Sequence, residues 1–299
     1  MNQKAESPTK RFEKDSQPFD DEGLAQHIKK ALRVKPPSGA GHEFGYKIIK
    51  RLFDPVLVDT QNLPDTPCLF VANHSLFALD GMVMGPVVYH ETGRFLRGLG
   101  DRFLFSPATE DKLLAFGGVV GHPKVCSALM ENGADLMVFP GGAHEATKTM
   151  EQRYTLQWKE RYGFVRLAAQ HGYTIMPTAI VGPDEFYSHL IEGEDLPDSM
   201  LGKLLTRLGL ISEDTRPDLL PPIPIGALGS LMPKPQRCYY QFGEPVNLSN
   251  HKGQLTTKKQ LTDIRNEVAE QIESMLPTLL HQRAQQSKND GFLRRLLTL

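Results

Sequence analysis

The chain has 299 residues and a formal net charge of −1, with no zinc-finger spacing, RNA-binding signature or basic tract. These features argue against a nucleic-acid-binding protein, and the length is enough for one large domain with a packed core. The three cysteines are widely spaced and odd in number; Cys68 and Cys238 lie in strand-like runs and are predicted core thiols of a reducing compartment. The ten histidines have no metal-ligand spacing, so we predict no metal.

Residues 1–40 are rich in Lys, Gln, Ser, Asp and Pro and contain few aliphatic residues before Leu24, which predicts a largely disordered arm. The first 21 residues lack the apolar run of a signal peptide, and no later stretch is long and apolar enough to cross a membrane. We therefore expect a cytoplasmic protein whose contact with membrane is peripheral, at the cytoplasmic face.

An amphipathic helix is predicted over Glu43–Val56, and strand-like and helical patterns then alternate. The predicted strands are Cys68–Ala72, Phe95–Gly98, Leu136–Phe139, Thr174–Ile180 and Arg237–Phe242. The predicted helices are Gly81–Tyr89, Lys112–Phe116, Lys124–Glu131 and Tyr162–Gln170, followed by a long closing helix over Thr257–Leu280. This alternation predicts an α/β domain over residues 41–280, with a mixed, mostly parallel sheet flanked by helices and a C-terminal tail over 281–299.

A histidine and an acid follow the predicted strand Cys68–Ala72. The strand ends at Asn73-His74, and Asp80 stands six positions after the histidine, at the start of a predicted helix. A carboxylate that accepts from one ring nitrogen fixes the tautomer and leaves the other nitrogen free to take a proton. The pattern fits a His74–Asp80 general base, with a structural pair as the alternative. No Gly-x-Ser-x-Gly elbow surrounds Ser75, which argues against a serine nucleophile.

A second polar cluster follows the predicted strand Leu136–Phe139. It consists of the turn Pro140-Gly141-Gly142 and, within reach, Glu145. Two glycines let backbone N–H groups approach a ligand closely, as anion- and oxyanion-binding turns require. Because the carboxyl ends of parallel strands meet at one edge of a sheet, we expect both clusters to share a cleft.

These two blocks, in this order, resemble the glycerolipid acyltransferase superfamily, which includes lysophosphatidate and glycerol-phosphate acyltransferases. The family has Asn-His, four residues and Asp, then Phe-Pro-Glu-Gly, then a Val-Pro-type strand. Here five residues separate His74 from Asp80, Phe139–Gly142 has glycine in place of the glutamate, and Ile175–Thr178 matches the third block. These departures, together with Trp158–Phe164, resemble the diacylglycerol-acyltransferase-like branch. The resemblance runs from about Asp54 to Leu248.

The resemblance implies a single acyltransferase-type domain that moves a fatty acyl group from acyl-CoA or acyl carrier protein to a lipid hydroxyl. The acceptor would be a lysophospholipid, a glycerolipid or diacylglycerol, and no cofactor is implied. His74 would be the general base and Asp80 its orienting carboxylate. Gly141 and Gly142 would position substrate and stabilise the oxyanion, and Glu145 would orient the acceptor.

Other polar residues are assigned by position in the family pattern. Asn73, in the first block, is predicted to contact substrate, and His122, in a small-residue turn, corresponds to a block that helps bind the acceptor headgroup. Arg161 can meet a phosphate, with a solvated helix cation as the alternative. His144 and Lys148 are equally well explained as surface residues.

Two other functions remain open at this stage. A thioesterase or esterase would use the same His74–Asp80 base on water, and a lipid-binding protein would use the same groove without chemistry. For membrane contact, Met200–Leu208 has leucines on one helical face and Lys203 and Arg207 on another, as basic amphipathic helices do at anionic membrane surfaces. For this helix we favour the alternative, an ordinary helix that covers the core.

Overall fold

The computed structural model describes residues 20–208, 220–254 and 257–298. The described strands are β1 Val56–Val58, β2 Cys68–Ala72, β3 Arg97–Gly100, β4 Gly118–Val120, β5 Leu136–Val138, β6 Thr174–Val181, β7 Ser188–Ile191, β8 Ile223–Ile225, β9 Tyr239–Phe242 and β10 Val246–Asn247. The described α-helices are α1 Asp21–Arg33, α2 Ala40–Phe53, α3 Leu79–Thr92, α4 Glu110–Ala115, α5 Pro123–Glu131, α6 Ala143–Ala146, α7 Gly163–His171, α8 Met200–Arg207, α9 Lys258–Gln286 and α10 Phe292–Leu297.

The main sheet has the order β1-β9-β6-β2-β5-β3-β4, and β10 pairs with β6. The neighbouring strands β6, β2, β5, β3 and β4 are parallel to one another, whereas β9 and β10 run antiparallel to β6. β2 and β6 are buried along their whole length, because helices cover both faces of the sheet centre. The predicted α/β class, with a mixed and mostly parallel sheet, is confirmed.

The predicted strands and helices are present, with ends shifted by a few residues. The structure adds the short strands β1, β4 and β10, of which β4 lies in a segment where small residues indicated only a turn, and the separate antiparallel pair of β7 and β8. Strands of three or four residues carry too little apolar periodicity to stand out in a sequence.

The N-terminal arm is more ordered than its composition suggested. Asp21–Arg33 forms α1, with Asp20 accepting a hydrogen bond from the Gly23 N–H at the N-cap and Leu24, His27 and Ala31 buried. The prediction of disorder is therefore wrong for this helix, because its narrow buried stripe is hidden among polar residues. Residues 1–19 lie outside the described ranges.

The closing helix α9 begins at its Thr257 capping box, as predicted, and continues to Gln286, beyond the predicted end at Leu280. The following α10 is held to the domain by Arg294, whose Nη1 donates to the Pro235 carbonyl at 2.9 Å. Within the described ranges, no helix combines the length and apolarity needed to cross a membrane.

His27 joins α1 to the edge of the sheet. Its ring is fully buried, with Nδ1 2.8 Å from Oε1 of Glu110 and Nε2 accepting the Val120 N–H of β4 at 3.1 Å. Because Nε2 accepts, the proton lies on Nδ1 and the ring is neutral. Burial lowers the pKa of His27 and favours this neutral form.

Acidification should therefore weaken the docking of α1. A lowered pKa means that the contribution of His27 to stability is present above the unfolded pKa of about 6.5 and is lost as the pH falls below it. His27→Gln keeps a donor and an acceptor but does not titrate. Urea unfolding at pH 8 and pH 5.5 should show a larger loss of stability in the wild type than in the variant; equal losses would remove His27 as the cause.

Candidate active site

The His74–Asp80 contact predicted from the sequence is present. Nδ1 of His74, at the end of β2, lies 2.8 Å from Oδ2 of Asp80, in the first turn of α3. The same Oδ2 accepts the Ser75 N–H at 2.6 Å, and Oδ1 accepts the Gly81 N–H at 2.7 Å. Asp80 is fully buried and His74 is 7% exposed. An Nδ1–H donor to Asp80 leaves Nε2 as the free basic nitrogen.

A tight left-handed turn accommodates the additional residue between His74 and Asp80. Residues Leu76–Ala78 form one 3₁₀ turn in which Phe77 and Ala78 have φ values of 59° and 57°, and α3 begins only at Leu79. Helix α3 begins two residues before the predicted start at Gly81, directly after this turn. Left-handed backbone costs about 1–2 kcal/mol at a residue with a Cβ atom. The hydrogen bonds to Asp80 hold the turn in this conformation.

Asn73 ties the end of β2 to the end of β6. Its Nδ2 donates to the Ile180 carbonyl at 2.9 Å, and its Oδ1 accepts the Ile180 N–H at 2.8 Å. The side chain is almost fully buried. The carbonyl and the N–H of Ile180 already bind Nδ2 and Oδ1 of Asn73. We therefore assign Asn73 a positioning role in place of the predicted substrate contact.

The Pro-Gly-Gly turn lies beside the histidine ring. The Phe139 ring stacks on His74, with centroids 4.2 Å apart and planes inclined by 14°. The Gly142 N–H donates to the Phe139 carbonyl at 3.0 Å, so the turn itself uses this donor. Gly142 has φ 51° and ψ −136°, a backbone conformation that favours glycine.

Arg161 holds this turn through hydrogen bonds to its backbone. Its Nη1 donates to the Pro140 carbonyl at 2.9 Å and to the Gly141 carbonyl at 2.6 Å. The guanidinium therefore shapes the glycine turn through backbone contacts. Arg161 is an exposed residue, and contact of its other N–H groups with a phosphate stays a prediction.

Glu145 is a buried acid of the same cluster. Oε1 accepts the Gln157 N–H at 3.2 Å, and a Cβ atom added to Gly141 would overlap the carboxyl group. Glycine at 141 therefore makes room for Glu145. Burial raises the pKa of Glu145 to about 7, although the nearby Lys148 opposes the shift.

Lys148 is buried, and the interpretation of this residue as a surface lysine is wrong. Its Nζ donates to the His74 carbonyl at 2.8 Å and lies 2.8 Å from Oδ2 of Asp184. The same Oδ2 accepts the Tyr154 N–H at 2.8 Å. Asp184 was not predicted from the sequence, although an acid just after β6 falls on the same sheet edge as His74. His144, by contrast, is near the surface, with Nε2 3.0 Å from the Lys159 ammonium.

His122 is not brought next to the dyad. It follows β4, and β5 and β3 lie between that strand and β2. Its Nδ1 accepts the Lys124 N–H at 3.2 Å and caps α5. Contact with an acceptor headgroup remains a prediction for this residue.

A cavity of about 760 Å³ lies elsewhere, between α1, α2, α3 and α4. Phe95, Leu96 and Phe116 line it just before β3 and β4, so it lies toward the amino ends of the parallel strands. The dyad is at the carboxyl ends. The position of the titratable groups, rather than the volume of this cavity, therefore identifies the candidate site. Within the described ranges, no cluster of three or more His, Cys, Asp or Glu side chains could hold a metal ion.

Part of the chain matches a known protein family. Residues 55–181, which include both strand-end clusters, match the family model described as Acyltransferase. The chain is 29% identical over 238 residues to "Phytyl ester synthase 1, chloroplastic" of Arabidopsis thaliana, covering 74% of this chain and 33% of that protein. Residues 55–181 are therefore similar to the Acyltransferase family, in agreement with the resemblance noted in the sequence.

Other proteins are similar to this chain as well. The chain is 30% identical over 226 residues to an uncharacterized protein of Mycobacterium leprae, covering 74% of this chain and 58% of that one. It is 26% identical over 118 residues to the "DGAT1/2-independent enzyme synthesizing storage lipids" of Gallus gallus, covering 39% of this chain and 35% of that protein. The chain spans about a third of the length of the phytyl ester synthases that it matches.

Among solved structures, the 1-acyl-sn-glycerophosphate (LPA) acyltransferase PlsC of Thermotoga maritima aligns with a TM-score of 0.44 and 16% identity. The alignment covers 89% of this chain and 88% of that one.

Lys148→Met should destabilise the protein by about 3–5 kcal/mol, because it leaves the Asp184 carboxylate buried and unpaired. Adding Asp184→Asn should restore part of the loss. Lys258→Met is the matched control, since its partner Glu160 and Lys258 itself are exposed, and it should change stability little. Unfolding in guanidinium chloride gives the free energy of unfolding of all four proteins. A loss of stability in Lys148→Met that is no larger than the loss in the control would contradict the role of the buried pair.

Proposed function

We propose that the protein is an O-acyltransferase of lipid metabolism that moves a fatty acyl group from a thioester to a lipid hydroxyl. The observation that carries this proposal is the hydrogen bond between His74 and the buried Asp80 at the carboxyl end of β2, next to the Pro-Gly-Gly turn. The match of residues 55–181 to the Acyltransferase family supports it. Relatives named for phytyl ester synthesis and for storage-lipid synthesis support a lipid alcohol as the acceptor.

In this reaction Nε2 of His74 removes the hydroxyl proton while the acceptor oxygen attacks the thioester carbonyl carbon. Asp80 holds the ring and stabilises the imidazolium that forms. The tetrahedral intermediate then expels the thiolate, which takes the proton back from His74. No bond between enzyme and acyl group is needed.

The donor in our proposal is acyl-CoA or acyl carrier protein, and the acceptor is a lysophospholipid, a glycerolipid or diacylglycerol. The Pro-Gly-Gly-x-x-Glu form of the second block and the storage-lipid relative favour the diacylglycerol-acyltransferase-like branch.

The test is incubation of the purified protein with radiolabelled acyl-CoA and a panel of lysolipids, diacylglycerol and long-chain alcohols. Labelled acyl lipid is the expected product. Labelled free fatty acid without acyl lipid would make the protein a hydrolase, and retention of lipid without turnover would make it a lipid-binding protein.

His74→Ala should abolish acyl transfer without loss of fold, because the imidazole lies at a strand end. Asp80→Asn should lower the rate by roughly 10²–10⁴-fold, as for other orienting carboxylates. His281→Ala, on the exposed face of α9, is the control and should leave the rate unchanged. Wild-type turnover by His74→Ala would refute the mechanism.

We further propose peripheral contact with the cytoplasmic face of a membrane through α8. The interpretation of this helix as a core cover is wrong: Gly202 is its one buried residue, while Met200 is 91% exposed and Leu204 and Leu208 are more than half exposed. Lys203 and Arg207 on the same helix are exposed as well. An apolar stripe beside cations suits an anionic lipid surface.

Reversal of charge on this helix should weaken binding to anionic vesicles, because each basic residue near such a surface contributes about 1 kcal/mol. Sedimentation of Lys203→Glu plus Arg207→Glu should fall well below that of the wild type, and wild-type binding should weaken with salt. Lys259→Glu plus Lys288→Glu makes the same charge change at two other exposed sites and should bind normally. Equal sedimentation of both double variants would exclude α8 as the contact.

A further inference from the structure

Glu145 has one carboxyl oxygen without a protein partner. Oε1 accepts the Gln157 N–H, whereas Oε2 is inaccessible to solvent and, among the described residues, makes no hydrogen bond. A buried polar atom left unpaired costs about 1–3 kcal/mol, so its retention in a site calls for a functional explanation.

The unpaired oxygen faces the turn beside the candidate base. A Cβ atom on Gly141 would overlap Oε2, so the carboxyl group lies directly against that glycine. Gly141 belongs to the same turn as Phe139, whose ring stacks on His74. Glu145 therefore lies within the cluster that would surround an acyl carbonyl attacked from the side of His74.

The surroundings of Glu145 favour its neutral form. The charged or titratable groups that act on it are Lys148, His74 and Asp184, and the ammonium of Lys148 is already paired with Asp184 at 2.8 Å. Burial is the largest influence and raises the pKa of Glu145 to about 7. A neutral carboxylic acid can donate a hydrogen bond from its O–H group, whereas a carboxylate can only accept.

Acyl transfer needs such a donor, because negative charge develops on the thioester carbonyl oxygen when the acceptor adds to carbon. The Gly142 N–H, one of the two donors expected from the glycine turn, is bound to the Phe139 carbonyl. We propose that neutral Glu145 donates a hydrogen bond from Oε2 to the thioester carbonyl oxygen and stabilises the oxyanion. This role rests on the acyltransferase function proposed above.

The proposed reaction balances in protons and bonds and needs no further reactant. The acceptor O–H proton passes to His74, the new C–O bond forms, and the carbonyl π pair moves onto the oxygen that Glu145 binds. When the carbonyl re-forms, the C–S bond breaks and the thiolate takes the proton from His74. Glu145 keeps its own proton throughout.

The test compares Glu145→Gln, which keeps an N–H donor but does not titrate, with Glu145→Met, which has a similar volume and no donor. In the wild type, kcat should fall as the pH rises through about 7, because Glu145 loses its proton. The Gln variant should keep at least a tenth of the wild-type kcat at pH 6 and lose this alkaline decline. At pH 6 the Met variant should be slower than the wild type by about 10²–10³-fold, the usual loss for an oxyanion donor, and it should show no alkaline decline.

A Gln variant as slow as the Met variant, or one that retains the alkaline decline, would overturn the proposal, as would a Met variant with wild-type kcat. Absence of His74-dependent acyl transfer in the wild type would instead refute the acyltransferase function itself.

Unfolding free energy supplies a readout that does not depend on activity. An acid whose folded pKa is raised contributes stability that is fully present below its unfolded pKa, about 4.5, and that is lost as the pH rises through the folded value. Between pH 5 and pH 8.5 the wild type should therefore lose more stability than Glu145→Gln. Parallel pH curves for the two proteins would show that Glu145 is already ionised, and the proposal would fail.

Discussion

The arrangement of the candidate site depends on the hydrogen bond between Nδ1 of His74 and Oδ2 of Asp80. One residue belongs to the end of a central strand and the other to the first turn of the next helix, so this contact sets the path of the chain between them. The left-handed conformations of Phe77 and Ala78 follow from it. The backbone N–H groups of Ser75 and Gly81 complete the coordination of the carboxylate and offset the unfavourable backbone angles.

Two buried acids in this cluster have different surroundings. Asp80 accepts hydrogen bonds from the His74 ring and from two backbone amides, which fix the position of its carboxyl group. Glu145 accepts one backbone amide through Oε1, and its carboxyl group lies directly against Gly141. The different surroundings suit different tasks: Asp80 orients the ring of His74, and in our proposal Glu145 donates a hydrogen bond to the oxyanion.

The sheet and the dyad could be predicted from sequence because their signals are local. Apolar runs such as Cys68–Ala72 identify buried strands, and His74 and Asp80 are only six positions apart. Lys148 and Asp184 could not be predicted to pair, since they lie on separate elements and meet only when β6 packs beside β2. Helix α1 was missed for a related reason: the partners of His27, Glu110 and Val120, are distant in sequence, so its burial leaves no local pattern.

The double hydrogen bond between Asn73 and Ile180 makes the sheet and the site parts of one cooperative unit. The Ile180 amide is bound by a side chain that is adjacent to His74 in sequence, not by the backbone ladder of a neighbouring strand. Its exchange with solvent deuterium therefore requires the end of β2 to separate from β6. This single amide proton is consequently an internal reporter of the geometry around the histidine, readable by NMR without a substrate or a chemical label.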